Sequence, residues 1–334
     1  MPPASTAAPR LSQLRALQRA RGHRHRVSAL SLALCFPGQG SQAAGMADGL
    51  LDGDVPQRML QAAAAAGLDL EQALHGDDDA LRPTDVAQPA LLFVECAIHA
   101  RLPRALAVVA VAGHSVGEYA ACVAAGALAP EDAMTAVVAR GRAMAAMREG
   151  TMCALLGLDA GAAQEVCAHV RDRSGEVVVV ANLNAPGQVV ISGSRAGIEA
   201  ATALAKKRGA RRAVALNVSG AFHSPLMAAA AKQFESVLDG LPLRDPVIPV
   251  VCNVDASPAR DAATLRDRLR RQLTSPVRWS ETVECLVAMG TTTLVEVGPG
   301  AVLTGLAKRI TPDVTALAVH SADEAATAVA EAQP

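Results

Sequence analysis

The sequence predicts an α/β protein whose mostly parallel sheet is covered by helices on both faces, and three observations carry that expectation. Short, continuous apolar runs, Leu30 to Phe36 and Leu106 to Ala112, end in glycine-bearing loops and alternate with longer stretches of helical composition. Continuous apolar runs of this length fit strands buried on both faces. Between residues 151 and 216 the texture changes to closely spaced short segments, the mark of a second, smaller unit. Finally, the chain is 51% hydrophobic but only 2% aromatic, so Ala, Val and Leu do the packing. Small side chains suit close helix-on-sheet layers. At 334 residues the chain exceeds the usual size of one compact domain, so a large domain with an insertion fits its length.

Taken in order, residues 1–28 carry many Arg and no acidic residue, superficially like a transit peptide. Their composition predicts a disordered extension. The first strand, Leu30 to Phe36, feeds the loop Pro37-Gly38-Gln39-Gly40-Ser41-Gln42. Residues 43–105 read as mostly helical, with Ala-rich stretches at Ala62 to Ala66 and Pro89 to Ala100. The Val-rich second strand, Leu106 to Ala112, is bounded by Gly113, and VGEYAACVAAGAL after Ser115 has helical composition. The segments ALLGL, 160–172, VVVVANL, GQVVISG, 195–208 and RAVALNV then follow as βαββαβ, a ferredoxin-like pattern over 151–216. The larger unit, 29–150 and 217–334, resumes with helices after Pro225, a strand at Val247 to Asn253, and a helix near 262–273. It closes with a strand at Thr293 to Val297 and a helix after Gly300.

Composition excludes several classes. Lys plus Arg at 31 balance Asp plus Glu at 32, and aromatics are too scarce to stack bases, so no nucleic-acid partner is expected. The seven cysteines are scattered with no CxxC pair, which reads as free thiols in a reducing cytoplasm, without a metal site or disulfide framework. No apolar run approaches the ~18–20 residues that span a bilayer, so no membrane association is expected. The loop PGQGSQ lacks the third glycine of G-x-G-x-x-G, and GxxxxGK[ST] is absent, which argues against nucleotide binding.

Gly113-His114-Ser115-Val116-Gly117 fits G-x-S-x-G between a strand and a helix. In that setting the glycines allow a cramped turn that lifts the serine to the carboxyl edge of the sheet, and the helix N-terminus offers N–H groups to an oxyanion. The large unit is therefore expected to be α/β-hydrolase-like, with Ser115 as nucleophile. A serine needs a general base, usually histidine. Of the eight histidines, His223 stands out, in the loop SGAFHSPLM directly after the insert. A loop histidine is by itself compatible with a purely structural role.

The set FPGQGSQ (36–42), GHSVGEY (113–119), RGRAM (140–144), ANLNAPGQVVISG (181–193), GAFHSPLM (220–227) and EVGPG (296–300) resembles the malonyl-CoA:acyl carrier protein transacylases. It is also similar to the acyltransferase domains of fatty-acid and polyketide synthases. The resemblance runs from about Leu32 to about Arg309 in the family's order. It implies [acyl-carrier-protein] S-malonyltransferase activity, by a ping-pong route through a malonyl ester on Ser115 for fatty-acid or polyketide synthesis. Malonyl-CoA is then a substrate, with no permanently bound cofactor. The partner is a holo acyl carrier protein bearing phosphopantetheine, and the enzyme is expected to act as a monomer in the cytoplasm.

By the same resemblance His223 is the base, held by a main-chain carbonyl in the segment Gln272-Leu273. Gln39 and the N–H of Val116 form the oxyanion hole. A carboxylate-bearing acyl group needs a planar, bidentate cation in a dry pocket. Residue chemistry leaves Arg140 and Arg142 as equals, whereas the family's R-G-x-x-M pattern selects Arg140. Phe222 matches a position that goes with unbranched malonyl groups, and Met144 and Val218 are further candidates for the pocket wall. Lys206, Lys207, Arg208, Arg211 and Arg212 form the densest basic cluster beyond the N-terminal region, suited to steering an acidic carrier or coenzyme A phosphates. Competing readings are a serine hydrolase or thioesterase, in which Arg140 would have no purpose, and a malonyltransferase subunit of a malonate decarboxylase. A non-catalytic relative would have lost the serine, histidine or arginine, and all three are present.

Overall fold

The computed structural model describes residues 31–104, 106–321 and 324. The expectation for residues 1–28 lies outside the described residues. In chain order the elements are β1 (Leu32–Phe36), α1 (Asp54–Ala65), α2 (Leu70–Leu74), α3 (Thr84–His99), β2 (Val108–Gly113), α4 (Gly117–Ala124) and α5 (Pro130–Ala145). Next come β3 (Thr151–Leu156), α6 (Ala160–Ser174), β4 (Val178–Ala185), β5 (Gln188–Gly193), α7 (Arg195–Lys207) and β6 (Arg212–Ala215). The chain continues with a 3₁₀ turn (Pro225–Met227), α8 (Ala228–Gly240), β7 (Val250–Val251) and β8 (Pro258–Ala259). It ends with α9 (Ala262–Gln272), α10 (Trp279–Ala288), β9 (Thr293–Val297), α11 (Val302–Ile310) and β10 (Thr315–Val319).

The large sheet has the order β10-β9-β1-β2-β7-β8 and is parallel except for the β7–β8 pair. All five residues of β1 are buried, as a central strand covered on both faces requires. Its alternate side chains feed two cores. Leu32, Leu34 and Phe36 join the helical layer of α1, α3, α4 and α5, while Ala33 and Cys35 pack toward Trp279 of α10 and Leu303 of α11. The parallel order brings the carboxyl ends of β1 and β2 side by side, with Phe36 paired to Gly113. That edge is where open α/β sheets bind ligands.

The second sheet has the order β4-β5-β3-β6, antiparallel throughout. With the two intervening helices this is the ferredoxin-like arrangement, so the chain has the two-part α/β architecture its sequence predicts. Cys153, Leu155, Val178, Val189 and Ile191 turn to one face and pack under α6 and α7. Met152, Asn182, Asn184 and Val190 turn to the other, toward the large sheet's carboxyl edge.

Several boundaries differ from the sequence expectation. Within the stretch 43–105 read as mostly helical, the Ala-rich segment from Pro89 belongs to a helix that begins at Thr84, with Pro89 buried inside it. The strand expected over 247–253 pairs only at Val250 and Val251. Pro249 has no N–H to give a ladder, and Val247 is 82% exposed. Helix α10 and strands β8 and β10 were not foreseen. None of the helices among the described residues is long and apolar enough to cross a membrane.

Candidate active site

Gly113 and Gly117 make the turn after β2 sterically feasible. A Cβ on Gly113 would sit 2.0 Å from the Gly117 carbonyl carbon, and one on Gly117 would sit 2.3 Å from the Phe36 oxygen. Both exceed any side-chain give, because the obstructing atoms are backbone. Gly117→Ala is therefore expected to lower stability by at least about 1–3 kcal/mol, measured as a reduced urea midpoint. An unchanged midpoint would contradict this reading of the turn.

The turn holds Ser115 at φ 54°, and His223 sits at φ 57°. Both are in the left-handed region, where a side chain is held only if its surroundings overdetermine it. For Ser115 the clamp is Asn253, which is fully buried. Its Oδ1 accepts from the Ser115 N–H at 2.7 Å, and its Nδ2 donates to the Gly113 carbonyl at 2.6 Å.

Ser115 Oγ lies 2.8 Å from His223 Nε2. On the far side of the ring, Nδ1 faces the carbonyls of Gln272 at 3.0 Å and Ser275 at 3.2 Å. Carbonyls only accept, so Nδ1 carries the proton and Nε2 presents its lone pair to the serine hydroxyl. Burial pushes the His223 pKa down to about 3, with the Arg140 charge acting in the same direction. The imidazole is thus neutral, the form a base requires. Loading of the serine is expected to stay flat from pH 7 to about 5, well below the ordinary histidine value of about 6.5. A limb in kcat/KM near pH 6.5 would contradict this assignment.

Arg140, on α5, is 1% exposed. Its Nη2 donates to Gln272 Oε1 at 2.8 Å and reaches Ser115 Oγ at 3.2 Å, while Nη1 donates to Gln88 Oε1. Arg142, the competing candidate, turns away and donates to the carbonyls of Ala66 and Gly67. Residues on the oxyanion side are linked to the same network. Gln39 Oε1 accepts from Thr84 Oγ1 at 2.7 Å, and Thr84 accepts from Gln88 Nε2 at 2.9 Å. The main-chain N–H groups of Gln39 and Val116 have no protein acceptor among the described residues and both border the cleft. The Ser115 N–H, by contrast, is already taken by Asn253.

A cleft of about 360 Å³ joins these groups, lined by Gln39, Ser115, Val116, Arg140 and His223, with Met144, Val218 and Phe222 on its walls. His114, adjacent to Ser115, also borders the cleft, but its ring is engaged with other partners. Its Nε2 meets Asn184 Oδ1 at 3.0 Å and its ring packs against Trp279. The structure therefore brings together every sequence-identified residue except the basic cluster.

That cluster is divided. Lys206 and Lys207 end α7, and Lys207 borders a surface depression between α6 and α7 with His169 and Arg173, on the helical side of the small sheet. Arg208 pairs with Glu165 of α6 at 3.6 Å, and Arg211 packs against Gly157. Arg212 opposes Leu156 on β6, in the alternation that places Ala213 in the helical core. Strand alternation sends Arg212 to the cleft side. Sequence proximity grouped the five, but helix and strand geometry separates them.

Gln88, Asn253 and Glu118 were missed by sequence reasoning. Glu118 is the residue after the G-x-S-x-G motif, and it receives the Gln272 side chain. No spacing signal marks Gln88 or Asn253, because their contacts join positions far apart in the chain.

An α/β fold carrying a serine–histidine pair beside a buried arginine at the sheet's carboxyl edge is the architecture of an acyltransferase. The chain belongs to the acyl transferase domain family, whose model matches residues 34–330. It is 42% identical over 295 residues to the malonyl CoA-acyl carrier protein transacylase of Bacillus subtilis, covering 86% of this chain and 93% of that protein. The Haemophilus influenzae transacylase is 43% identical over 299 residues, covering 86% and 95%. Among solved structures, a malonyl-transacylase in complex with its type II polyketide acyl-carrier protein superposes with TM-score 0.84. It is 39% identical and covers 90% of this chain and 99% of that one.

Proposed function

We propose that this protein transfers malonyl from malonyl-CoA to the phosphopantetheine thiol of an acyl carrier protein in fatty-acid or polyketide synthesis, acting as a cytoplasmic monomer. The observation that carries the reading is Arg140 Nη2 at 3.2 Å from the nucleophile oxygen. A fixed guanidinium at that range matches an acyl group with a second, charged end. In the first half-reaction His223 Nε2 takes the Ser115 proton as Oγ attacks the thioester carbonyl. The N–H groups of Gln39 and Val116 receive the oxyanion, and the imidazolium then protonates the departing coenzyme A thiolate. The second half-reaction runs the same steps in reverse with the carrier thiol as acceptor. Two carbonyls orient the imidazole where a triad uses a carboxylate, so the dyad leaves the acid position vacant.

Phe222, Met144 and Val218 narrow the wall beside the ester and favour an unbranched acyl group. The test is a comparison of malonyl-CoA turnover with and without holo carrier. Transfer in its presence and slow release of malonate in its absence are expected; rapid hydrolysis without transfer would support the thioesterase alternative instead.

For carrier steering we assign Arg212 the larger share of the basic cluster, because it alone of the five turns toward the cleft side. Arg212→Glu is expected to raise the KM for carrier several-fold, by roughly 1 kcal/mol, with kcat little changed. Lys207→Glu is expected to do less. Equal effects would contradict the assignment.

A further inference from the structure

Beneath the nucleophile turn lies a carboxyl group with no place in the dyad. Glu118, in the first turn of α4, is 1% exposed. Its Oε2 accepts from Gln272 Nε2 at 2.5 Å, and its Oε1 has no hydrogen-bond partner. Gln272 is the link between two opposite charges. Its Nε2 holds Glu118 and also the Ser115 carbonyl at 3.0 Å, while its Oε1 holds Arg140 Nη2. Arg140 in turn has an unpartnered Nε and donates only to neutral groups.

The remaining titratable groups around Glu118 are neutral. Tyr119 and Cys122 on its own helix and Cys252, directly after strand β7, all have their pKa values raised, chiefly by burial. His223 is held neutral on the opposite side of Arg140. Among the described residues the dry site therefore holds one cation, Arg140, and one available anion, Glu118. Burial lifts the Glu118 pKa to about 7, against the opposing pull of the Gln272 amide, of the Cys252 thiol and Asn253 main chain beside the carboxyl, and of the Arg140 charge. A buried cation keeps a counter-charge, and a second anion brought to the same cation leaves one negative charge uncompensated. The lower-cost outcome is protonation of the group that can neutralise.

We propose that Glu118 is a positioning residue for malonyl selection: it balances Arg140 in the empty enzyme, and gives up that role by taking a proton when the malonyl carboxylate arrives. The proton comes from the buffer and binds Oε1, the oxygen that accepts no hydrogen bond; no covalent bond is broken. The inference rests on the malonyl assignment made above. It couples recognition to acyl type, because an acetyl group brings no charge and moves no proton. The sign follows from linkage. Bound malonyl raises the Glu118 pKa above its empty-enzyme value, so malonyl binding is unhindered below about pH 7 and weakens as pH rises above it, toward about tenfold per pH unit.

The experiment is isothermal titration of malonyl-CoA into the Ser115→Ala protein, which cannot be acylated, at pH 8 in phosphate and in Tris. The expected result is a buffer-dependent heat equivalent to uptake of about half to one proton per site. Acetyl-CoA and coenzyme A, which share the coenzyme's own ionisations, are expected to give no such excess. Adding Glu118→Gln, which keeps the size and an acceptor for Gln272, is expected to abolish the excess while malonyl-CoA still binds. A malonyl-CoA heat with no buffer dependence beyond that of acetyl-CoA overturns the proposal and leaves the malonyl assignment intact. Absence of malonyl-CoA binding overturns both. Because the first comparison needs no change at Glu118, a fold defect in the Gln variant does not remove the test.

Discussion

His223→Ala is expected to slow malonyl loading of Ser115 by about 10³–10⁴-fold, with little change in malonyl-CoA affinity. Among the described residues the imidazole is the only group positioned to take the hydroxyl proton: its Nε2 is 2.8 Å from Ser115 Oγ, whereas the nearer residue in sequence, His114, is engaged with Asn184. Arg140 also approaches Oγ but is a donor and cannot accept a proton. Ser115 and His223 act as a unit, so the double variant is expected to lose little more than either single one. Stopped-flow or quenched-flow loading with malonyl-CoA measures the effect. A His223→Ala protein that loads within tenfold of the parent would remove the histidine from the base role.

Arg140→Ala is expected to reverse acyl preference. A malonyl carboxylate placed in a dry pocket without its guanidinium costs about 3–5 kcal/mol, or roughly 10²–10⁴-fold in kcat/KM. Acetyl loading carries no such penalty and is expected to hold or improve. Arg140→Lys is expected to recover little, because Arg140 spans Gln88 and Gln272 with the two arms of a planar fork that an ammonium lacks. Arg140→Ala, unlike Arg140→Lys, also removes a charge that depresses the His223 pKa, so any acid limb in its profile should move upward. Competition between malonyl-CoA and acetyl-CoA for the serine, read by mass, checks the preference. An unaltered ratio would take Arg140 out of the selector role.

Most of the architecture was legible in the sequence because its signals are local. The β1 run, the glycine turn around Ser115 and the βαββαβ spacing each depend on neighbouring residues, and each reappears in the structure. Local reading failed where pairing depends on partners elsewhere. Strand β7 shrinks to two residues beside Pro249, and β10 forms because β9 offers it an edge.

The site was legible only in part, for the same reason. Ser115 announces itself by its motif, and His223 by its loop and the family resemblance. The preference for Arg140 over Arg142 agrees with their burial: one is fully enclosed beside the nucleophile, and the other caps carbonyls at the surface. Asn253 grips the Ser115 turn across 138 positions of chain and Gln88 meets Arg140 across 52. Contacts of that span leave no periodicity or spacing to read. The basic run 206–212 failed in the opposite sense. It looked like one patch in the sequence, but a helix end followed by a strand sends its members to different faces.

The central claim is a malonyl ester on Ser115 that a carrier thiol then discharges. Intact-mass measurement of the protein after brief exposure to malonyl-CoA, then after addition of holo acyl carrier protein, tests it most directly. The account predicts one malonyl adduct, located on the peptide bearing Ser115 and absent from Ser115→Ala, that disappears as the carrier gains the same mass. An adduct on another residue, or loss of the adduct to water with the carrier unchanged, would contradict it.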